Sequence, residues 1–129
     1  MAIENHVSEK AKQHFYRAIE ASKYRAFDVA EQEYREAINI DPNFAEAHYN
    51  LGLLLINSKR FEEAEKEFLE VVRIRPDARA YGNLGILYFE TGKKEKAKEA
   101  LLKAKELFEK QKNFKESKIC EEYLARLME

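Results

Sequence analysis

The chain has 129 residues, 45% of them apolar and 36% charged, a balance that suits a solvated globular domain and excludes a disordered one. Its net charge of −1 offers no global attraction to nucleic acid or anionic lipid, and a lone cysteine, Cys120, excludes an internal disulfide. Two prolines and four glycines are few breakers beside abundant Ala, Leu, Glu and Lys, so the composition predicts an all-α chain.

Residues 1–10 form a lead-in without the apolar centre of a secretory signal. The longest mostly apolar run, residues 51–56, falls far short of the ~20 residues a membrane span needs, so the cytoplasm is the expected location. A first helix pair is predicted over residues 7–23 and 27–39. A second pair follows over 44–57, with Leu51, Leu54 and Leu55 on one stripe, and 61–73, with Phe61, Ala64, Phe68, Val71 and Val72 at helical spacing. The polar link Asn57-Ser58-Lys59-Arg60 suits an antiparallel pair. The pattern recurs over 81–91 and 94–110, turning at Thr91-Gly92-Lys93, where Gly92 is a natural helix C-cap. After Lys112-Asn113 a last helix puts Phe114, Ser117, Cys120, Leu124 and Leu127 on one stripe, as a capping helix over the third pair would.

The chain repeats itself. Pro42 and Pro76 stand 34 residues apart in matching surroundings, Ile40-Asp41-Pro42-Asn43 and Ile74-Arg75-Pro76-Asp77. Within that period Leu51, Gly52, Ala64, Phe68 and Pro76 fall on a signature of Leu-Gly, then Ala and Phe, then Pro. His48 stands in its Trp slot and Leu55 in its Tyr slot. The next unit matches at Leu84, Gly85, Tyr88 and Ala97, with Tyr81 for Trp and Leu101 for Phe. The first is degenerate: Ala30 and Pro42 match, Tyr34 replaces Phe, Ala18 replaces Gly and Arg17 sits where Leu is expected. On these residues the chain resembles the tetratricopeptide repeat (TPR) family. The resemblance implies a right-handed superhelical array of antiparallel helix pairs with about seven helices. Its parts would be a lead-in (1–10), a degenerate first repeat (11–44), a second (45–77), a third (78–111) and a C-terminal capping helix (112–129). Gly52, Gly85 and Ala18 would be small because paired helices approach closely there, with Ala30, Ala64 and Ala97 serving the facing helix.

No set of residues suggests catalysis, a metal or a cofactor. His14 and His48 occupy equivalent places in successive repeats, which favours packing over metal binding, and no Cys or acidic pair completes a ligand set around them or His6. Cys120 reads as a buried cap residue. Gly82-Asn83-Leu84-Gly85 lies inside a predicted helix and carries no phosphate-loop fingerprint. The run Lys93-Lys94-Glu95-Lys96-Ala97-Lys98 has no interleaved aromatics and reads as a solvated face, so nucleic acid and membrane are not expected partners.

What the resemblance implies for function is a concave channel, lined by the first helix of each pair, that holds a segment of another protein. Its lining would be Glu46, Tyr49, Asn50, Leu53, Ile56 and Asn57 from the second repeat, and Arg79, Gly82, Asn83, Ile86, Phe89 and Glu90 from the third. Lys12, Phe15, Tyr16, Ile19 and Lys23 are the less secure contributors from the first. Asn50 and Asn83 occupy slots where family members often hydrogen-bond a peptide backbone, and Gly82 would open the channel wall. The carboxylate clamp that some TPR proteins use for acidic chaperone tails is mostly missing. Phe15 and Ile19 fill two of its slots and Asn83 a third, leaving Asn50 and Arg79. The expected function is a non-catalytic adaptor for an apolar or amphipathic segment, most naturally a helix; the alternative is a homo-oligomer formed through the channel or the terminal helix, with the first residues, Ile3 and Val7 among them, a possible plug.

Overall fold

The structure, a computed structural model, describes residues 6–129. These form seven helices and no strand: α1 (Glu9–Lys23), α2 (Phe27–Ile40), α3 (Ala45–Asn57), α4 (Phe61–Ile74), α5 (Ala78–Glu90), α6 (Lys94–Lys110) and α7 (Phe114–Leu127). The elements expected from periodicity are therefore matched helix for helix, with small shifts at the ends. Ser8 caps α1 through its hydroxyl, which accepts from the Ala11 amide, so α1 starts at Glu9. The Asp77 carboxylate caps the amides of Arg79 and Ala80, so α5 starts at Ala78, before the expected residue 81.

The links α1–α2, α3–α4, α5–α6 and α6–α7 share one turn. In each, a single residue takes a left-handed conformation: Arg25 (φ 62°), Lys59 (61°), Gly92 (78°) and Lys112 (59°). The amide after it then reaches back to the preceding helix, as from Arg60 to the Leu55 carbonyl at 2.9 Å and from Lys93 to the Tyr88 carbonyl at 2.8 Å. Only one of the four turns uses glycine.

Two compact units make up the chain, Met1–Glu70 and Val71–Glu129. In the first, Phe15 lies fully buried against Phe44 and edge-on to Tyr34, with ring centroids 4.9 and 6.0 Å away. Phe15 is thus a core residue, which corrects its expected place on the channel wall. Ala18 beside it is buried while Arg17 is exposed, so α1 keeps the repeat's register although Arg17 fills a Leu slot. Glu31, Arg35, Arg60 and Glu63 join α2 to the start of α4, with Arg60 gripping both oxygens of Glu31 at 2.6 and 3.0 Å. Those bonds to Arg60 hold the Glu31 carboxyl below its ordinary range against the opposing effect of burial. Further along the unit, the Phe68 ring lies against Gly52.

The second unit repeats that contact with Leu101 against Gly85. One cluster of its core comprises Ala78, Leu101, Ala104, Phe108 and Cys120, with Tyr81, Leu107, Tyr123, Leu124 and Leu127 packed around them. Burial pushes the Cys120 thiol up to about 11, with the charge of Glu116 adding to it, which leaves an unreactive protonated thiol. Phe114, expected on the buried stripe of α7, is instead 64% exposed at the start of that helix, and Ser117 and Cys120 carry the burial.

The glycines divide by what a side chain would meet. A Cβ on Gly52 would stand 2.8 Å from Phe68 Cζ, and one on Gly85 would stand 2.6 Å from Leu101 Cγ and Cδ2. Both neighbours are fully or almost fully buried and have nowhere to retreat. A Cβ on Gly82 would instead make ordinary contact with Phe108 at 3.8 Å and Ala104 at 4.0 Å. Chemical denaturation is expected to show Gly52→Ala and Gly85→Ala each losing about 1–3 kcal/mol by overpacking. Gly82→Ala should gain about 1 kcal/mol from helix propensity. Equal effects at all three positions would contradict the close-approach reading.

Candidate functional site

The face of α3 that the repeat pattern marks for a partner carries Tyr49, Asn50, Leu53 and Ile56, all half-buried, and Asn57, exposed. They follow one another at helical spacing between the buried positions Leu51, Gly52, Leu54 and Leu55, which hold the opposite side of the helix in the core. Tyr49 lies edge-on to Phe68 with centroids 5.7 Å apart, so the same ring that packs on Gly52 also supports this face. Glu46, expected on the lining, is buried. On α1, Lys12 and Ile19 are half-buried, Lys23 is exposed and Tyr16 is 53% exposed.

In the second unit, α5 presents Arg79, Asn83, Ile86 and Phe89 half-buried and Glu90 exposed. Two of these are committed to their own helix. The Arg79 guanidinium meets both oxygens of Asp77, Nη2 to Oδ2 at 2.9 Å and Nε to Oδ1 at 3.2 Å. Asp77 is mostly buried, which disfavours its charge. Arg79 and the amides of Ala80 and Arg79 outweigh that and hold its carboxyl below the ordinary range. Asn83 Nδ2 donates to the Arg79 carbonyl at 3.0 Å. Gly82 does not open a wall; its missing side chain lies over Phe108 and Ala104 of α6.

Phe89 has neighbours that the periodicity of α7 had not assigned to this face. The Tyr123 ring packs edge-on to it at 5.3 Å, and the Arg126 guanidinium lies 4.6 Å from the Phe89 centroid and 5.2 Å from that of Tyr123. Tyr123 and Arg126 are three residues apart on one side of α7, a spacing that carried the signal but fell outside its apolar stripe.

The two equivalent histidines are polar staples. His14 Nδ1 lies 3.0 Å from Glu33 Oε1, and His48 Nδ1 lies 2.7 Å from Glu67 Oε1, the same pairing repeated at the same separation in sequence. His48 has a second contact, Nε2 to the Pro42 carbonyl at 2.7 Å. A carboxylate and a carbonyl both accept, so satisfying both requires the doubly protonated ring. Burial opposes that charge. The bonds to Glu67 and Pro42, with the charges of Glu67 and Glu70, prevail and raise His48 above its ordinary value. Among the described residues, no cluster of three His, Cys, Asp or Glu is placed to hold a metal, and no helix is long and apolar enough to cross a membrane.

This geometry defines a helical-repeat protein whose pairs close on a small residue facing a large one. A family model described as tetratricopeptide repeat matches residues 43–110, more than half of the chain, and another described as TPR repeat matches residues 27–58. The chain belongs to the tetratricopeptide repeat family. Mouse protein O-mannosyl-transferase TMTC3 is 41% identical over 73 residues, covering 55% of this chain and 8% of that protein. The Hsp70-Hsp90 organising protein of Plasmodium falciparum (isolate 3D7) is 32% identical over 100 residues, covering 71% of this chain and 18% of that one. The chain thus spans less than a fifth of either relative. In structure it is similar to the TPR2B domain of yeast Sti1, solved as a pHsp70 complex, with a TM-score of 0.83, 20% identity, and coverage of 94% of this chain and 98% of that one.

The His48 staple makes stability depend on pH. A folded pKa above the unfolded one means that its contribution is complete below the unfolded value and is lost as pH rises through the folded value. Denaturation across that window is expected to show stability falling with rising pH, and a flatter profile in His48→Gln. An identical slope in both proteins would remove His48 as its source.

Proposed function

We propose that the chain is a non-catalytic protein-interaction module that takes apolar or amphipathic segments of another protein, through the α3 face of its first unit and through the α5 face of its second. The observation that carries the reading is the partial exposure of Leu53 and Ile56 on α3 and of Ile86 on α5, beside neighbours that are fully buried. Apolar side chains left half-wet in helical register suit a partner helix or extended segment. Covering even ~300 Å2 of apolar surface at ~25 cal/mol per Å2 contributes several kcal/mol before ordering costs. Family membership and the likeness to the pHsp70-bound TPR2B domain support protein binding as the general activity. We read three repeats, 11–44, 45–77 and 78–111, followed by a cap, and we propose the cytoplasm as the location.

An acidic chaperone tail is the less suitable ligand. Of the basic and amide groups that a carboxylate clamp needs, Arg79 is engaged by Asp77, Asn83 by the Arg79 carbonyl, and Asn50 by the Tyr34 hydroxyl. A terminal carboxylate would have to displace those contacts, whereas an apolar ligand need not.

Affinity purification identifies the partner, and calorimetry with its binding segment tests the site. Leu53→Glu and Ile86→Glu are each expected to weaken binding at least tenfold, equivalent to about 1.4 kcal/mol, with helicity and unfolding midpoint retained. Unchanged affinity in both variants would remove these faces from the mechanism.

A further inference from the structure

A second surface includes none of the α3 and α5 residues just described. Within the second unit, α6 and α7 bound an open groove of about 480 Å3 lined by Lys94, Glu95, Lys98 and Leu102 of α6 and by Glu121, Leu124, Ala125, Leu127 and Met128 at the α7 side. Leu102 is 47% exposed and Met128 81%.

The first unit shows what such a groove receives. There α4 covers the corresponding side of α2 and α3: Arg60 and Glu63 pair with Glu31 and Arg35 of α2, and Phe68 lies on Gly52 of α3. Aligning the starts of α2 and α6 puts Lys98 in the place of Glu31 and Leu102 in that of Arg35. Aligning the buried residues His48 and Leu51 with Ser117 and Cys120 puts Glu121 in the place of Gly52. The groove is therefore shaped for a helix, but with altered terms. Lys98 now calls for an acidic residue where Arg60, just before α4, stood. A carboxylate at Glu121 keeps the visiting helix from closing to the distance that Gly52 allows, so longer apolar side chains must bridge the gap.

α7 itself meets those terms. α7 carries Leu124, Leu127 and then Met128 along one side with Glu121 beside them. We propose that this groove is a self-association surface, in which a second copy of the chain lays its α7 into the groove of the first and receives the first copy's α7 in return. A two-fold arrangement makes the surface its own complement. Leu124 and Leu127 meet their counterparts and Leu102. Glu121 of each copy faces Lys98 and Lys94 of the other, exchanging its long 3.8 Å contact with Lys105 for a closer pair. Leu53 and Ile86 are not among the residues that line this groove, so the proposal does not depend on partner binding.

Sedimentation equilibrium of the whole chain tests this. The mass is expected to rise from 15.2 kDa towards twice that value between micromolar and millimolar concentration. Leu102→Glu and Met128→Glu, both at exposed positions, should keep the chain folded by circular dichroism and weaken association at least tenfold. Lys98→Glu should weaken it as well, and Lys98→Glu combined with Glu121→Lys should restore it. A chain that stays at 15.2 kDa throughout, a dimer indifferent to Leu102 and Met128, or a charge swap that fails to restore what Lys98→Glu removed would each overturn the proposal.

Discussion

Everything in the two units follows from how closely paired helices approach. At Gly52 the Phe68 ring, and at Gly85 the Leu101 side chain, occupy the space where a Cβ would otherwise stand. A helix held this close to its neighbour buries the residues beside the glycine, Leu51 and Leu55 or Leu84 and Tyr88, and turns the next positions outward by the geometry of 3.6 residues per turn. Leu53, Ile56 and Ile86 stand half-exposed because of that rotation. The faces proposed for a partner are thus a by-product of a packing constraint, and changing the constraint would move them.

The turns supply the second constraint. Four of the six links reverse the chain within a few residues through one left-handed position. Gly92 suits that conformation without strain, whereas Arg25, Lys59 and Lys112 adopt it at some cost, compensated by the backbone bond that closes the turn. The histidines act at a different level. His14 and His48 fill a slot where the family commonly has an aromatic, and their pairing with Glu33 and Glu67 replaces part of the lost apolar contact with a charged hydrogen bond.

Helix number and pairing could be read from the chain because the apolar period, the two prolines and the small residues all agree. Other features could not. A left-handed lysine has no compositional mark, so three of the four turns were unreadable as such. Phe15 sits in a slot that in the second repeat holds the half-buried Tyr49, yet it is fully buried because Phe44 and Tyr34 close over it. Arg79 and Asn83 look like ligand groups by position, but Asp77 and the Arg79 carbonyl take them first, a competition between neighbours that no spacing rule reports. The cover of Tyr123 and Arg126 over Phe89 depends on where α7 lies, which the lengthening of α6 decides.

The methyl groups of Leu53, Ile56 and Ile86 are the most direct reporters of whether the half-exposed faces are where a partner sits. Methyl NMR of the chain, titrated with the binding segment of its purified partner, should shift these three signals strongly while those of Val29, Leu69 and Leu102, which are exposed on other helices, stay in place. Shifts confined to Val29, Leu69 or Leu102, with Leu53, Ile56 and Ile86 unmoved, would contradict it.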